Sequence, residues 1–246
     1  MRHLGYSGLR LEWAGAAICV DPPTLPGDEP AVVTWTERER VSGVKAGTGR
    51  LAALPAVLAW LAREGVCLSE AGPVTVAGFR VRARAFEPIP YATPAEALRK
   101  TWSAARNPVL ALGRLAFLRT RPKVPPVMLT LERGGVRVAL LSQALHRFAT
   151  PADVDAIARW ASPADVVVAG TDYDDEGATG RMLSAFDAPH RVIADLTGPI
   201  RRKLGLPVRP LAVALADAPP GTMALEDGAE LLLDVSSGVD PSPDRG

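Results

Sequence analysis

The stretch Asp165-Val166-Val167-Val168-Ala169 is apolar at every position after its first. A strand with that pattern must be covered on both faces, because each successive side chain points to the opposite side of a sheet. Its surroundings supply the cover. Thr150-Pro151-Ala152-Asp153 reads as a helix start with the helix running to about Trp160, Ala178 to Phe186 reads as a second helix, and Arg191-Val192-Ile193-Ala194 as a further buried strand. Gly198 to Leu204 reads as a short basic helix.

The first half of the chain repeats the logic. Leu9-Arg10-Leu11-Glu12-Trp13 alternates apolar and polar, Ala14-Gly15 makes a turn, and Ala16-Ala17-Ile18-Cys19-Val20 is a continuous apolar run ending in Asp21-Pro22. Leu54 to Arg63 carries apolar residues at helical spacing and ends at Gly65, read as a glycine stop. Val74 to Ala77 and Phe79 to Phe86 read as strands, the second with Arg80, Arg82 and Arg84 on one face. That face is either solvated or a basic rim for an anionic ligand. Val127 to Leu131 and Gly135 to Leu141 read as a hairpin turning at Glu132-Arg133-Gly134, and Thr222 to Leu225 with Glu230 to Leu233 as a last hairpin around Glu226-Asp227-Gly228. Strand–helix–strand repeated on both sides of a centre is what an αββα sandwich requires.

The remaining features bound the class. A chain of 246 residues can form one large layered domain or two small ones, and we read a single domain over 1–235. The residues after Val235 are Ser, Gly, Asp and Pro, so 236–246 reads as a disordered tail. The formal net charge of +1 gives no global electrostatic case for nucleic acid or an anionic membrane. Residues about 93–121 read as a helical insertion opened by a capping box at Thr93-Pro94-Ala95-Glu96. Arg99, Lys100, Arg106, Arg114, Arg119, Arg121 and Lys123 make this part of the chain basic. A packed helical pair, a lid, a dimer surface and a lipid-facing element are all open readings of it. Cys19 and Cys67 have no paired spacing, no apolar run is long enough to cross a bilayer, and the opening residues lack a secretory core. The expectation is a cytoplasmic protein.

The segment that most bears on function is Thr34-Trp35-Thr36-Glu37-Arg38-Glu39-Arg40-Val41-Ser42-Gly43, which follows the apolar run Ala31-Val32-Val33. Together with His3-Leu4-Gly5-Tyr6-Ser7-Gly8, the strand pair and Asp21-Pro22, it resembles the opening of metallo-β-lactamase-fold proteins, particularly the branch that includes ascorbate-phosphate lactonases. The resemblance implies an α/β fold, an αββα sandwich of the metallo-β-lactamase type with a helical insertion. It also aligns this segment with the family's metal loop, T-H-x-H-x-D-H-x-x-G. Trp35, Glu37 and Arg40 then stand where the three histidines would be, and Glu39 where the aspartate would be. Later ligand positions are altered too. There is no histidine near Phe86-Glu87-Pro88, Gln143 stands near a bridging aspartate, and Asp195 near the final histidine.

An active hydrolase of that fold converges imidazoles and carboxylates on metal to make a hydroxide nucleophile. This chain has three histidines in all, His3, His146 and His190. The expectation is therefore no cofactor, with zinc disfavoured, and a degenerate, non-catalytic protein binding a small molecule or a protein partner in the old cleft. Trp35, Glu37, Glu39 and Arg40 would line one side of it, with Gln143 and Asp195 on the other. An alternative is a metal-dependent hydrolase of the lactonase or phosphoesterase type, in which Glu37, Glu39, Asp21 and Asp195 form an oxygen-rich site for a hard divalent cation. Charge pairing of Arg38 and Arg40 with those carboxylates opposes it.

A second constellation, Gly170-Thr171-Asp172-Tyr173-Asp174-Asp175-Glu176-Gly177, lies between a buried strand and a helix. Asp172, Asp174 and Glu176 are a possible cation site and resemble the DxDxEG motif of toprim nucleic-acid enzymes, a second alternative. An acidic turn at a helix's positive end is the plain reading. The sequence offers no strong nucleic-acid signal and leaves a homo-oligomer open.

Overall fold

The computed structural model describes residues 1–4, 8–25, 27–34, 50–85, 108–109, 112, 124–125, 127–141, 150–171, 178–196 and 209–235. Two sheets lie back to back. The first runs in sequence order through β1 (Arg2–His3), β2 (Leu9–Trp13), β3 (Ala16–Val20), β4 (Ala31–Val33), β5 (Leu51–Ala53) and β6 (Val66–Cys67). The second has the order β13 (Met223–Leu225), β12 (His190–Ala194), β11 (Val166–Gly170), β10 (Val136–Leu140), β9 (Val127–Arg133), β8 (Phe79–Ala85), β7 (Val74–Val76). In each sheet four consecutive strands are parallel, β3 to β6 and β10 to β13. Their carboxyl ends therefore share one edge of each sheet.

The layers follow from alternation along the strands. Leu9, Leu11, Ile18, Val20 and Val32 of the first sheet meet Phe79, Val81, Leu131, Val138, Val166, Val168 and Val192 of the second in one core. The alternate residues of the second sheet, Met128, Ala139, Val167, Ala169 and Ile193, pack on Ile157, Ala158, Met182, Leu183 and Ala214. Those belong to α2 (Pro151–Ala161), α3 (Ala178–Ser184) and α4 (Leu211–Ala216). On the far side of the first sheet, Cys19, Ala31, Val33, Leu51 and Ala53 pack on Val57, Leu58 and Leu61 of α1 (Pro55–Leu61). β11 is buried at all five positions because it has a sheet on one side and helices on the other. The result is the α, β, β, α layering expected from the sequence.

Several local expectations need correction. The helix expected over 54–63 is Pro55–Leu61, and Ala62, not Gly65, takes the left-handed cap at φ +50. Gly65 serves close packing instead, since a Cβ there would lie 2.6 Å from the Leu51 carbonyl oxygen. The turn between β9 and β10 is Gly134–Gly135 rather than 132–134, both with positive φ.

The last hairpin does not form. β13 joins β12 in parallel, and the following residues leave the second sheet to pair with β1 of the first. His3 N donates to Ala229 O at 2.9 Å, Leu231 N to Met1 O at 2.7 Å, and the Met1 ammonium to Leu231 O at 2.8 Å. The outer edge of β1 has backbone groups that this pairing satisfies, and Leu231 and Leu233 add apolar surface to the inter-sheet core. Both favour that crossing over a local hairpin. Arg80 and Arg82 are also not a free basic rim: Arg80 faces Glu132 at 3.8 Å, and the Arg82 guanidinium lies 5.2 Å from the Trp160 ring centre.

Candidate functional site

The two ends of the sandwich differ. At one end the hairpin turns at Ala14–Gly15, Ala77–Gly78 and Gly134–Gly135 come together and are tied by Arg133. Its guanidinium donates to Ala77 O at 3.0 Å and lies 5.2 Å from the Phe79 ring centre, and its carbonyl accepts from Trp13 Nε1 at 2.9 Å. Trp13 meets Phe79 edge to face at 4.8 Å, so the two sheets are bridged by rings and polar bonds together.

At the other end the parallel strands finish in polar residues. Asp21 follows β3, Thr34 follows β4, Thr171 follows β11 and Asp195 follows β12. Parallel strands deliver their successors to a common edge, which is why α/β proteins place ligands there. Asp21 sits at φ +43, a region that L-residues other than Asn and Asp seldom adopt. Its amide donates to Val32 O at 2.8 Å, and its carboxylate receives Thr34 N at 2.6 Å and Thr34 Oγ1 at 2.5 Å. Thr34 is buried, so these bonds are made away from bulk water and fix the first residue of the Thr34–Gly43 segment.

On the second sheet, Thr171 N donates to Ala194 O at 3.1 Å, Asp195 N to Leu225 O at 3.2 Å, and the buried Thr179 hydroxyl to Gly170 O at 3.0 Å. Thr171 and Asp195 are both buried. Of the residues expected to line the cleft, Asp195 is thus placed at the open end. Trp35, Glu37, Glu39, Arg40 and Gln143 lie outside the described residues, as do Asp172, Asp174 and Glu176. Their nearest described neighbours, Thr34, Leu141 and Thr171, all stand at this end.

One pair went unnoticed in the sequence. His3 aligns through Leu9 with Val20 at the end of β3, and its Nδ1 lies 3.0 Å from Asp227 Oδ1, just beyond the end of β13. The ring is buried, so His3 and Asp227 clasp the two sheets at the margin of the open end. They are 224 positions apart, and no local pattern links them.

A polar knot supports the first sheet nearby. The Arg10 guanidinium holds Glu29 through Nε at 2.9 and 3.0 Å and Nη2 at 2.8 Å, and Cys19 Sγ donates to Glu29 Oε2 at 3.3 Å. Arg10 keeps the Glu29 carboxyl below its ordinary range. Burial, reinforced by the Glu29 carboxylate, pushes the Cys19 thiol up to about 12. Cys19 is therefore an unreactive thiol that ties the β3–β4 connection down.

No group of three or more His, Cys, Asp or Glu side chains among the described residues is arranged to hold a metal ion. Asp21 has both carboxylate oxygens engaged by Thr34. His190 starts β12, at the opposite end of the strand from Asp195, and donates from Nε2 to Asp234 O at 3.0 Å.

Two back-to-back sheets, helices outside and strand ends meeting at one open edge define an α/β sandwich of the metallo-β-lactamase type. Solved structures bear this out. The chain is similar to the metallo-β-lactamase-fold protein YhfI from Bacillus subtilis, with a TM-score of 0.55 and 11% identity over 93% of this chain and 92% of that one. It is similar to a possible metal-dependent hydrolase from Veillonella parvula, with 0.57 and 14% over 94% and 98%, and to zinc-bound PqqB from Methylobacterium extorquens, with 0.52 and 14% over 93% and 88%. No family model matches the sequence, and no curated protein does. At these identities the likeness is one of fold. Because PqqB is zinc-bound, the fold itself gives no reason to expect a protein without metal; that expectation rests on this chain's own residues.

Proposed function

We propose that this chain is a non-catalytic binding protein on a metallo-β-lactamase sandwich, taking a small molecule or a protein partner at the open end. The observation that carries the reading is the Thr34–Asp21 anchor. It holds Thr34, the first residue of the segment that resembles the family's metal loop, and Trp35, Glu37, Glu39 and Arg40 in that segment include no histidine. A retained frame with replaced ligands suits a cleft kept for binding. An indole and a guanidinium would occupy space that metal and water hold in a hydrolase, and Arg40 would neutralise carboxylates that no metal neutralises.

The second reading is a metal-dependent hydrolase using carboxylates. The hydrolase and zinc-bound neighbours favour it. It would place a hard cation among Glu37, Glu39 and Asp195, with Asp21 already committed to Thr34. The toprim-like reading of Asp172, Asp174 and Glu176 gains nothing from the described flanks, where Thr171 and Ala178 belong to the sandwich.

Elemental analysis of purified protein by plasma mass spectrometry, with Glu37→Ala and Asp172→Ala alongside, separates the readings. The proposal expects no stoichiometric metal in any sample. One or two equivalents lost in the Glu37 variant would overturn it in favour of the hydrolase, and metal lost only in the Asp172 variant would assign a cation to the acidic loop.

A further inference from the structure

The order of the strands sends the chain from one sheet to the other twice, from β6 to β7 through residues 68–73 and from β13 back to the edge of β1 through residues 226–228. Both crossings lie at the open end, at its opposite margins. The first leaves the carboxyl end of β6, which runs parallel to β3, β4 and β5, and the second leaves the carboxyl end of β13. Each crossing is braced by one carboxylate. In the first, Leu68 is buried in the inter-sheet core with its amide on Ala53 O at 2.8 Å, and Glu70 accepts from the amide of Ala85, the last residue of β8. β7 pairs with β8 only as far as Val74 and Val81, so the Glu70 side chain takes over where the strand has stopped. In the second, Ala229 N turns back to Glu226 O at 3.1 Å with Gly228 at φ +75, and the Asp227 carboxylate meets the buried His3 ring at 3.0 Å.

We infer that these two braced crossings fix the spacing of the sheets at the open end, so that the sandwich is a jaw of preset gape and takes its ligand without the sheets rotating together. Each brace is a hydrogen bond with an ionised acceptor, stronger than a neutral one but modest on its own. Their placement decides the effect. One clasp would leave the sheets free to splay about it, whereas two at opposite margins remove that freedom. Binding in such a cleft is of the pre-organised kind, in which the backbone moves little and the ordering is already done in folding. The inference rests on the proposed reading only in taking the open end as the binding cleft. Its test needs no ligand, so it stands or fails apart from the metal analysis that decides that reading.

Amide hydrogen exchange on the full chain, followed by NMR in wild type and Glu70→Ala/Asp227→Ala, tests the inference. The informative amides are Leu141, bonded to Val168 O, and Asp195, bonded to Leu225 O, because they stand at the open end and neither carboxylate touches them. Their counterparts at the closed end are Asp165, bonded to Arg137 O, and His190, bonded to Asp165 O. The expected result is exchange about tenfold faster or more at Leu141 and Asp195, with no comparable change at Asp165 and His190. Each single variant should show a smaller part of the same pattern, which keeps the test decisive should the double variant lose its fold. Glu70→Gln/Asp227→Asn, which keeps an acceptor oxygen at both places, should restore most of the protection. Unchanged exchange at Leu141 and Asp195 would overturn the inference. So would acceleration by the same factor at both ends, which would mean that the substitutions lower global stability and the open end has no fastening of its own.

Discussion

The two ends of this sandwich solve opposite problems with the same kind of residue. At the closed end Arg133 joins three hairpin turns and covers Phe79, while Trp13 reaches across from the other sheet, so charge and ring both serve to seal the core. At the open end Asp21, Thr34, Thr171 and Asp195 are buried or half-buried at strand termini and tie backbone to backbone. Each of those bonds runs within one sheet, between neighbouring strand ends, whereas the bond from Trp13 Nε1 to Arg133 O joins the two sheets.

The comparison breaks first at Phe79. Phe79→Ala removes the ring that Trp13 and Arg133 both contact, and about 3–5 kcal/mol should be lost in urea denaturation. A loss under 1 kcal/mol would mean the closed end is not where the sheets are held. Asp21→Ala should cost less, about 1–3 kcal/mol, by leaving the buried Thr34 amide and hydroxyl without their acceptor. It should also lower whatever affinity the open end has, which a purely structural change at Phe79 would not do at matched folded fraction.

At the closed end Gly78 has φ +81, and an added Cβ would collide with the Arg133 guanidinium. Gly78→Ala should therefore destabilise by about 1 kcal/mol or more, and Gly78→Ala combined with Arg133→Ala should recover part of that relative to additivity. The smallest effects sharpen rather than break the picture. Cys67 is exposed and Cys19 buried with a raised pKa, so a disulfide reagent at neutral pH should modify one thiol in the native protein and two after denaturation. Glu29 has a lowered folded-state pKa, so its contribution is present above the ordinary carboxylate range and is lost as pH falls through the lowered value. Glu29→Gln should flatten the acid limb of the stability profile.

The legible parts of the fold were those with short-range causes. Leu9–Trp13 and Ala16–Val20 announced themselves by alternation and a turn, β11 by its uninterrupted apolar run, and α2 by Thr150 and Asp153, which form the capping box observed. Nothing local in Glu230 to Leu233 distinguishes pairing with β13 from pairing with β1, because the deciding partner lies at the other end of the chain. β5 and β6, three and two residues long, carry too little pattern to read. At the site, Asp195 follows β12 at the same end as Asp21 and Thr34, and Asp21 was noticed only as a donor of oxygens. That its carboxylate is spent on Thr34 depends on the parallel register of β3 and β4, which brings residues 13 positions apart into contact. The His3–Asp227 clasp depends on packing between sheets and left no trace in the sequence.

The most direct test of the account is a crystal structure of the full chain grown with manganese and zinc in the drop, read for where Trp35, Glu37, Glu39 and Arg40 lie relative to Gln143 and Asp195. The account predicts that these side chains face one cleft about 10 Å across, the span of an ordinary ligand site, with Arg40 paired to a carboxylate and no metal bridging the two sheets. A metal bound between Glu37 and Asp195, or these side chains dispersed over separate surfaces, would contradict it.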